Sequence, residues 1–248
     1  MYDTIVKVGC DKMAMKISGN NSIREALNSG RKIESIYILK NNQNDVVKLA
    51  KQKGANIKTV SKDELNKLMD KVHQNIVAVV EDYQMMPLQE AINKPKNNKV
   101  FIMLDGLEDP HNLGAVLRSA DAFQIDGVII PKHRSVHITD TVIRVSTGAI
   151  EYVDIIQVTN LNQAITTLKE NGFWIAGTDM DAKQTIHQMD VDMNLCVIIG
   201  NEGKGLSRLV KKNCDFIVNI PMGGHVNSLN ASVSAGIIMQ EIFSKKQR

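Results

Sequence analysis

Cysteine is scarce: Cys10, Cys196 and Cys214 are scattered over 248 residues, with no CxxC spacing. An odd, sparse set argues against a disulfide framework and against a zinc site, so no metal is expected. Long apolar runs are missing too. No stretch approaches the ~20 residues of a membrane span. The opening MYDTIVKVGCDKMAMK mixes charges into its apolar residues and has no signal-peptide core. These absences predict a soluble, cytoplasmic protein with no membrane partner. Two nucleotide signatures are absent as well. No GxGxxG occurs, and the glycine-rich Gly200–Gly205 is followed by Leu206 where a phosphate-cradling loop needs Lys and then Ser or Thr. That weakens dehydrogenase and nucleotide-hydrolase readings.

What is present is an uneven charge. The chain carries 30 Lys and Arg against 27 Asp and Glu, a net +3. Residues 1–98 hold 16 basic and 11 acidic side chains, whereas residues 99–248 hold 14 and 16. A basic region beside a near-neutral one fits a polyanion-recruiting arm on a catalytic body. It fits equally well lysines that solvate helix faces. Between the two, Pro87, Pro95 and a polar cluster from Lys94 to Lys99 interrupt the pattern. Proline removes an N–H donor and disfavours helix just before it. Residues 84–98 therefore read as a linker with room for one helical turn, flanked by domains over 1–83 and 99–248.

The first domain reads as three strands and three helices. Asn20 or Asn21 is placed to cap a helix through Leu27 that ends near Gly30. Glu34–Leu39, Ile57–Val60 and Ile76–Val80 are strand-like, Asp45–Lys53 is helical, and Ser61-Lys62-Asp63-Glu64 is a capping box. In the second domain, near-continuous apolar strands (100–104, 127–130, 152–158, 173–178, 195–199, 216–220) alternate with helices. That alternation predicts an α/β fold with a parallel sheet covered on both faces.

Ligands bind beyond the carboxyl ends of such strands, and three loops there are unusual. Asp105–Gly114 leads into a mostly apolar helix, with Asn112 placed to cap it and Arg118, less than two turns on, able to point back near the strand end. Arg118 reads either as a functional cation or as a surface arginine. Gly200-Asn201-Glu202-Gly203-Lys204-Gly205 lets a ligand approach backbone, or is a tight turn. Ile220-Pro221-Met222-Gly223-Gly224-His225 runs on to Ser228, Leu229 and Asn230. Helix capping explains Ser228 or Asn230, but not both. The helix over 229–243 is apolar over much of its surface, so it is buried or meets a partner subunit. His111 and His225 read as turn or helix-start residues. His133 with Arg134 reads as an RNA-phosphate contact or as plain surface.

Together the loops resemble the signature motifs of the SpoU (TrmH-type) RNA 2′-O-ribose methyltransferases of the SPOUT superfamily. Asn112-Leu113-Gly114-Ala115-Val116-Leu117-Arg118 resembles their N-x-G-A-x-x-R, and Gly200–Leu206 their G-x-E-G-x-G-L. Ile220–Ser232 resembles their I-P-M-x-G-x-x-x-S-L-N-x-S, with Ala231 where a branched valine is common and Asn227 at a variable place. The opening GNNSIREAL and the stretch Lys132–Ser135 resemble the RlmB-like branch.

The resemblance implies a small L30e-like α/β RNA-binding domain followed by a SPOUT parallel α/β domain with a deep trefoil knot. It implies a homodimer with the last helix at the interface and sites shared between subunits. S-adenosyl-L-methionine would bind in a bent pose at Gly200, Ile220, Met222 and Leu229. Arg118 would be the catalytic group, with Asn112, Glu202, Ser228 and Asn230 orienting it and the ribose. The implied substrate is a guanosine of 23S rRNA in the peptidyl-transferase region, or a large-subunit precursor, and not DNA. A tRNA guanosine and a non-catalytic RNA-binding protein are the alternatives.

Overall fold

The computed structural model describes residues 14–69, 73–133, 135–225 and 228–247. The opening segment with Cys10, together with Arg134, Val226 and Asn227, lies outside them. The chain divides into two compact units, 1–84 and 85–248.

In the first unit the elements run β1 (Ala14–Ser18), α1 (Asn20–Ser29), β2 (Ile33–Leu39), α2 (Asp45–Gln52), β3 (Ile57–Val60), α3 (Lys62–Leu68) and β4 (Ile76–Glu81). Among the described residues they build a four-stranded sheet in the order β1-β4-β2-β3, in which β2 and β3 run parallel and β4 runs antiparallel to both neighbours. Strand β1 was not anticipated; its alternation is masked by Lys16 at an outward position, while Ile17 is fully buried. Neither Asn20 nor Asn21 caps α1: Gly19 holds the cap position with no side-chain bond, and the helix ends in a left-handed Gly30 as expected. The capping box at Ser61 forms, with Glu64 Oε2 accepting the Ser61 N–H at 2.8 Å and Ser61 Oγ accepting the Glu64 N–H at 3.3 Å.

The second unit begins earlier than expected. Residues 84–98, read as a linker, carry α4 (Leu88–Asn93), whose Ala91 and Ile92 are buried in the core of this unit. The Met86 N–H donates to the Ile155 carbonyl at 2.8 Å, Lys94 pairs with Asp154 and Lys96 with Asp126. Two apolar residues one turn into a polar stretch suffice to dock it, which the prolines concealed.

Beyond α4 come β5 (Val100–Leu104), α5 (Pro110–Ala122), β6 (Gly127–Pro131), α6 (Asp140–Val145), β7 (Ile155–Val158), α7 (Leu161–Glu170), β8 (Trp174–Thr178), β9 (Gln184–Thr185), β10 (Leu195–Ile199), α8 (Arg208–Asn213), β11 (Phe216–Asn219) and α9 (Ala231–Lys246). The strands form one sheet in the order β7-β6-β5-β10-β8-β11-β9, with every pairing parallel. Strands β5 and β10 are buried at every residue. Successive side chains alternate between faces. Phe101, Met103, Cys196 and Ile198 share a cluster with α4, α7 and α8, and Phe101 stacks on Phe173 at 5.1 Å. The alternate residues Ile102, Leu104 and Val197 are equally buried under the other face, where α5, α6 and α9 pack on one another and on the sheet. Since β10 follows β8 and β9 in the chain but pairs between β5 and β8, the chain turns back across the sheet to place it. That return brings the glycine loop after β10 between the ends of β5 and β8.

Candidate active site

At the carboxyl ends of β8, β10 and β11 lies a cavity of about 420 Å³. Its walls include Thr178, Asp179, Gly200, Glu202, Ile220 and Leu229, together with Met222, Ser228 and Lys204. All four residues predicted to hold a cofactor are in this wall, and so are Glu202 and Ser228. Gly200 has a local reason to be glycine: a Cβ there would lie 2.4 Å from the Gly205 carbonyl carbon and 2.6 Å from the Leu206 nitrogen. The neck of the loop therefore closes only without a side chain.

Asn112 in the first turn of α5, Glu202 in the loop after β10 and Asn230 at the cap of α9 meet. Asn112 Nδ2 donates to Glu202 Oε1 at 2.8 Å, and Asn230 Nδ2 donates to the same oxygen at 2.5 Å and to Asn112 Oδ1 at 3.0 Å. The Ala231 N–H adds a third donor to Glu202 Oε1 at 3.2 Å. A carboxylate at the first turn of α9 also opposes the positive end of that helix.

The amide orientations are fixed by α9 itself. Asn230 caps the helix, its Oδ1 accepting from the N–H groups of Ser232 (2.9 Å) and Val233 (3.3 Å), so its amino group faces Glu202. Asn230, not Ser228, is the cap; Ser228 is exposed at the cavity. Sequence reasoning missed Ser232, whose hydroxyl lies 3.1 Å from Asn112 Oδ1 and 2.6 Å from Asn230 Oδ1. The signal was its place as the last serine of the Ile220–Ser232 stretch, two residues after Asn230.

Two expectations for the first loop are corrected. Asn112 does not cap α5. Asp109 does, accepting the His111 N–H at 2.8 Å, because Pro110 starts the helix at its first position. That frees the Asn112 side chain for Glu202. Arg118 does not turn back to the strand end. Six residues are ~600° of helical rotation, which sets it ~120° around the axis from Asn112. The buried side of α5 holds Leu113, Val116, Leu117 and Ala120, and Arg118 is exposed opposite it. It does not line the cavity, and among the described residues it has no hydrogen-bond or ion-pair partner.

Electrostatics separate the remaining groups. Lys211 at 2.5 Å holds the Asp179 carboxyl below the usual carboxylate range, aided by the Asp181 N–H. Burial pushes Cys214 up to about 11 and Cys196 higher still, so neither thiol is a ready nucleophile. Among the described residues no group of His, Cys, Asp and Glu is arranged to hold a metal. No helix among them is long and apolar enough to cross a membrane.

The chain is similar to known proteins over both units. The SpoU rRNA Methylase family matches residues 99–240, and the RNA 2′-O ribose methyltransferase substrate binding domain matches residues 16–86. A protein of Staphylococcus aureus (strain COL), assigned to the TrmH family of tRNA/rRNA methyltransferases, is 46% identical over 237 residues, covering 93% of this chain and 96% of its own. Among solved structures, the SpoU methyltransferase AviRb from Streptomyces viridochromogenes, in complex with the cofactor AdoMet, has a TM-score of 0.83 at 23% identity, with 94% of this chain and 91% of its own covered. An RNA 2′-O ribose methyltransferase has a TM-score of 0.80 at 24% identity, with 96% and 90% covered. The first match spans the three loops whose polar residues converge here, the second spans the basic unit before them, and the Staphylococcus relative aligns through both. The chain is therefore a member of the SpoU rRNA methylase family, a family of RNA methyltransferases.

Proposed function

We propose that this protein, as a homodimer, methylates the ribose 2′-OH of a guanosine in 23S rRNA, in the peptidyl-transferase region, using S-adenosyl-L-methionine. The observation that carries the reading is the cavity at Gly200, Ile220, Met222 and Leu229, joined through Glu202 to Asn112 and Asn230. Its volume lies within the ~300–1,000 Å³ of small-molecule sites. Ile199, Val218, Ile220 and Leu229 offer an apolar surface for a flat base, and Asp179, Asp181 and Glu202 complement a cationic ligand. The donor set thus fits a sulfonium nucleoside. Once bound, that cofactor supplies an electrophilic methyl group.

The chain's own work is to orient the ribose oxygen and to stabilise the charge that develops on it. Asn112, Asn230 and Glu202 lock one another and so hold one side of the site rigid, while Ser228 offers a hydroxyl to the ribose. Arg118 supplies the cation. A guanidinium does not give up its proton in proteins, so Arg118 stabilises the 2′-alkoxide, and the proton leaves to RNA phosphate or water. Its exposed position on α5 faces away from the chain's own core. Helix α9 carries apolar side chains beyond its buried side: Val233 is half exposed, and Ile237 and Phe243 are only partly buried. Apolar surface left open in this way suits a contact with another chain. A second copy seated there covers it and brings Arg118 to the partner's cavity. The first unit, with its excess of lysines, recruits the RNA through shape and phosphates.

The Staphylococcus relative's description spans tRNA and rRNA, so a tRNA guanosine is the competing target. Mapping 2′-O-methyl sites in total RNA from cells with and without the gene decides: loss of one mark in 23S rRNA supports the reading, and loss of a tRNA mark replaces it.

A further inference from the structure

The geometry points to Asn201 as a positioning residue that shapes the glycine loop for the cofactor and pins it to the end of β5. The inference rests on the reading that the cavity takes a sulfonium nucleoside. Asn201 uses every group it has. Its backbone N–H donates to the Gly205 carbonyl at 3.1 Å, and its carbonyl accepts the Gly205 N–H at 2.9 Å, closing the base of the loop. Its Oδ1 accepts from the N–H groups of Gly203 at 3.0 Å and Lys204 at 3.4 Å, which folds the tip. Its Nδ2 donates to the Gly106 carbonyl at 2.9 Å, in the loop after β5.

One side chain thus does two separable things. The acceptor shapes the loop, as asparagine does in turns, and the donor ties that loop to the segment leading to Asn112. A second tie runs in parallel, from the Ser207 N–H to Asp105 Oδ2 at 2.7 Å. The backbone of Gly200, which lines the cavity, is held between the Asn201 tie and a bond from the Asp105 N–H to the Ile199 carbonyl at 2.9 Å, and Glu202 follows Asn201. Displacing the Asn201 donor therefore moves both the cavity wall and the oxygen on which Asn112 and Asn230 converge. Among the described residues Asn201 makes no hydrogen bond to either asparagine.

The test uses the full-length protein and three readouts: calorimetric affinity for S-adenosylhomocysteine, melting temperature, and the rate of tryptic cleavage after the exposed Lys204 without ligand. Asn201→Ala removes both functions. It should weaken binding roughly tenfold, the loss of about one net hydrogen bond with its shape, and should speed cleavage after Lys204. Asn201→Asp keeps the acceptor and replaces the donor by an oxygen facing the Gly106 carbonyl. It should weaken binding similarly while cleavage stays near the wild-type rate.

Wild-type affinity and cleavage in both variants would overturn the proposal. So would a lowered melting temperature with unchanged affinity of the folded protein, since that is a structural role alone. If Asn201→Ala does not fold, the aspartate variant decides by affinity. If the wild-type chain itself does not bind the nucleoside, the reading of the cavity fails, whereas the cleavage comparison still reports on the loop.

Discussion

Asn112 and Arg118 sit on the same helix, α5, within two turns, and their surroundings are opposite. Asn112 is bound to Glu202, Asn230 and Ser232, residues that reach it from the far end of the chain. Arg118 is exposed, with no hydrogen-bond or ion-pair partner among the described residues. The difference separates two ways of building a site. The first group is preorganised by the chain's own fold, so its geometry is fixed before any ligand arrives. The arginine has no such ties, and in the proposed function its partner is the site of a second copy with its bound RNA. Removing a member of the first group should disturb structure and binding together, and removing Arg118 should disturb the chemistry alone.

The sharpest way to break that contrast is Arg118→Ala. Methyl transfer should fall at least ~100-fold, as for other donors that stabilise developing charge, with melting temperature and cofactor affinity unchanged. Near-normal single-turnover transfer would remove Arg118 from the account. Mixed dimers sharpen it further. An Arg118→Ala chain paired with a Glu202→Ala chain should regain transfer, because one intact cavity then meets one intact guanidinium. No recovery would mean that the arginine serves its own chain.

Glu202→Ala is the counterpart from the preorganised group. It leaves the donors of Asn112, Asn230 and Ala231 without their shared acceptor. Urea unfolding should show a loss of about 1–3 kcal/mol, and calorimetry a weaker cofactor. Unchanged stability would mean that the ties are decorative.

Smaller effects are expected away from both. Ser61→Ala removes the capping box of α3 in the first unit. It should cost about 1 kcal/mol and leave cofactor affinity untouched. Lys211→Met removes the cation beside Asp179, with Lys211 nearly half exposed. At pH 7 the cost should stay below about 1 kcal/mol. Asp179 has a lowered pKa in the fold, so its pairing stabilises above the ordinary carboxylate range and is lost as pH falls through the lower, folded value. Wild type and variant should therefore converge in urea midpoint as pH falls from the reference carboxyl pKa of about 4 through the lower, folded value. A difference that persists there would contradict the ion-pair assignment.

Sequence reasoning read most of the strands correctly because each is an unbroken run of apolar, often β-branched residues, as in Val100–Leu104 and Leu195–Ile199. It failed where one residue changed a boundary. Pro110 moved the start of α5 forward and turned Asn112 from a cap into a tie. Ala91 and Ile92 docked a stretch whose prolines advertised a linker. At the site, the residue types and loops were legible, since polar side chains at strand ends have few structural uses. Their connections were not. The hydrogen bonds of Asn112 to Asn230 and Ser232 span more than a hundred residues, and nothing in local spacing specifies them. Arg118 lies six residues from Asn112, a spacing that sets the two ~120° apart around α5, so closeness in sequence did not put them on one face.

The central claim is chemical, and alkali tests it most directly. A methyl on the ribose 2′-OH blocks alkaline cleavage at the following phosphate. The protein, incubated with methyl-labelled S-adenosylmethionine and large-subunit ribosomal RNA, should leave its label in alkali-resistant dinucleotides. Label recovered in mononucleotides, or none incorporated at all, would contradict the account.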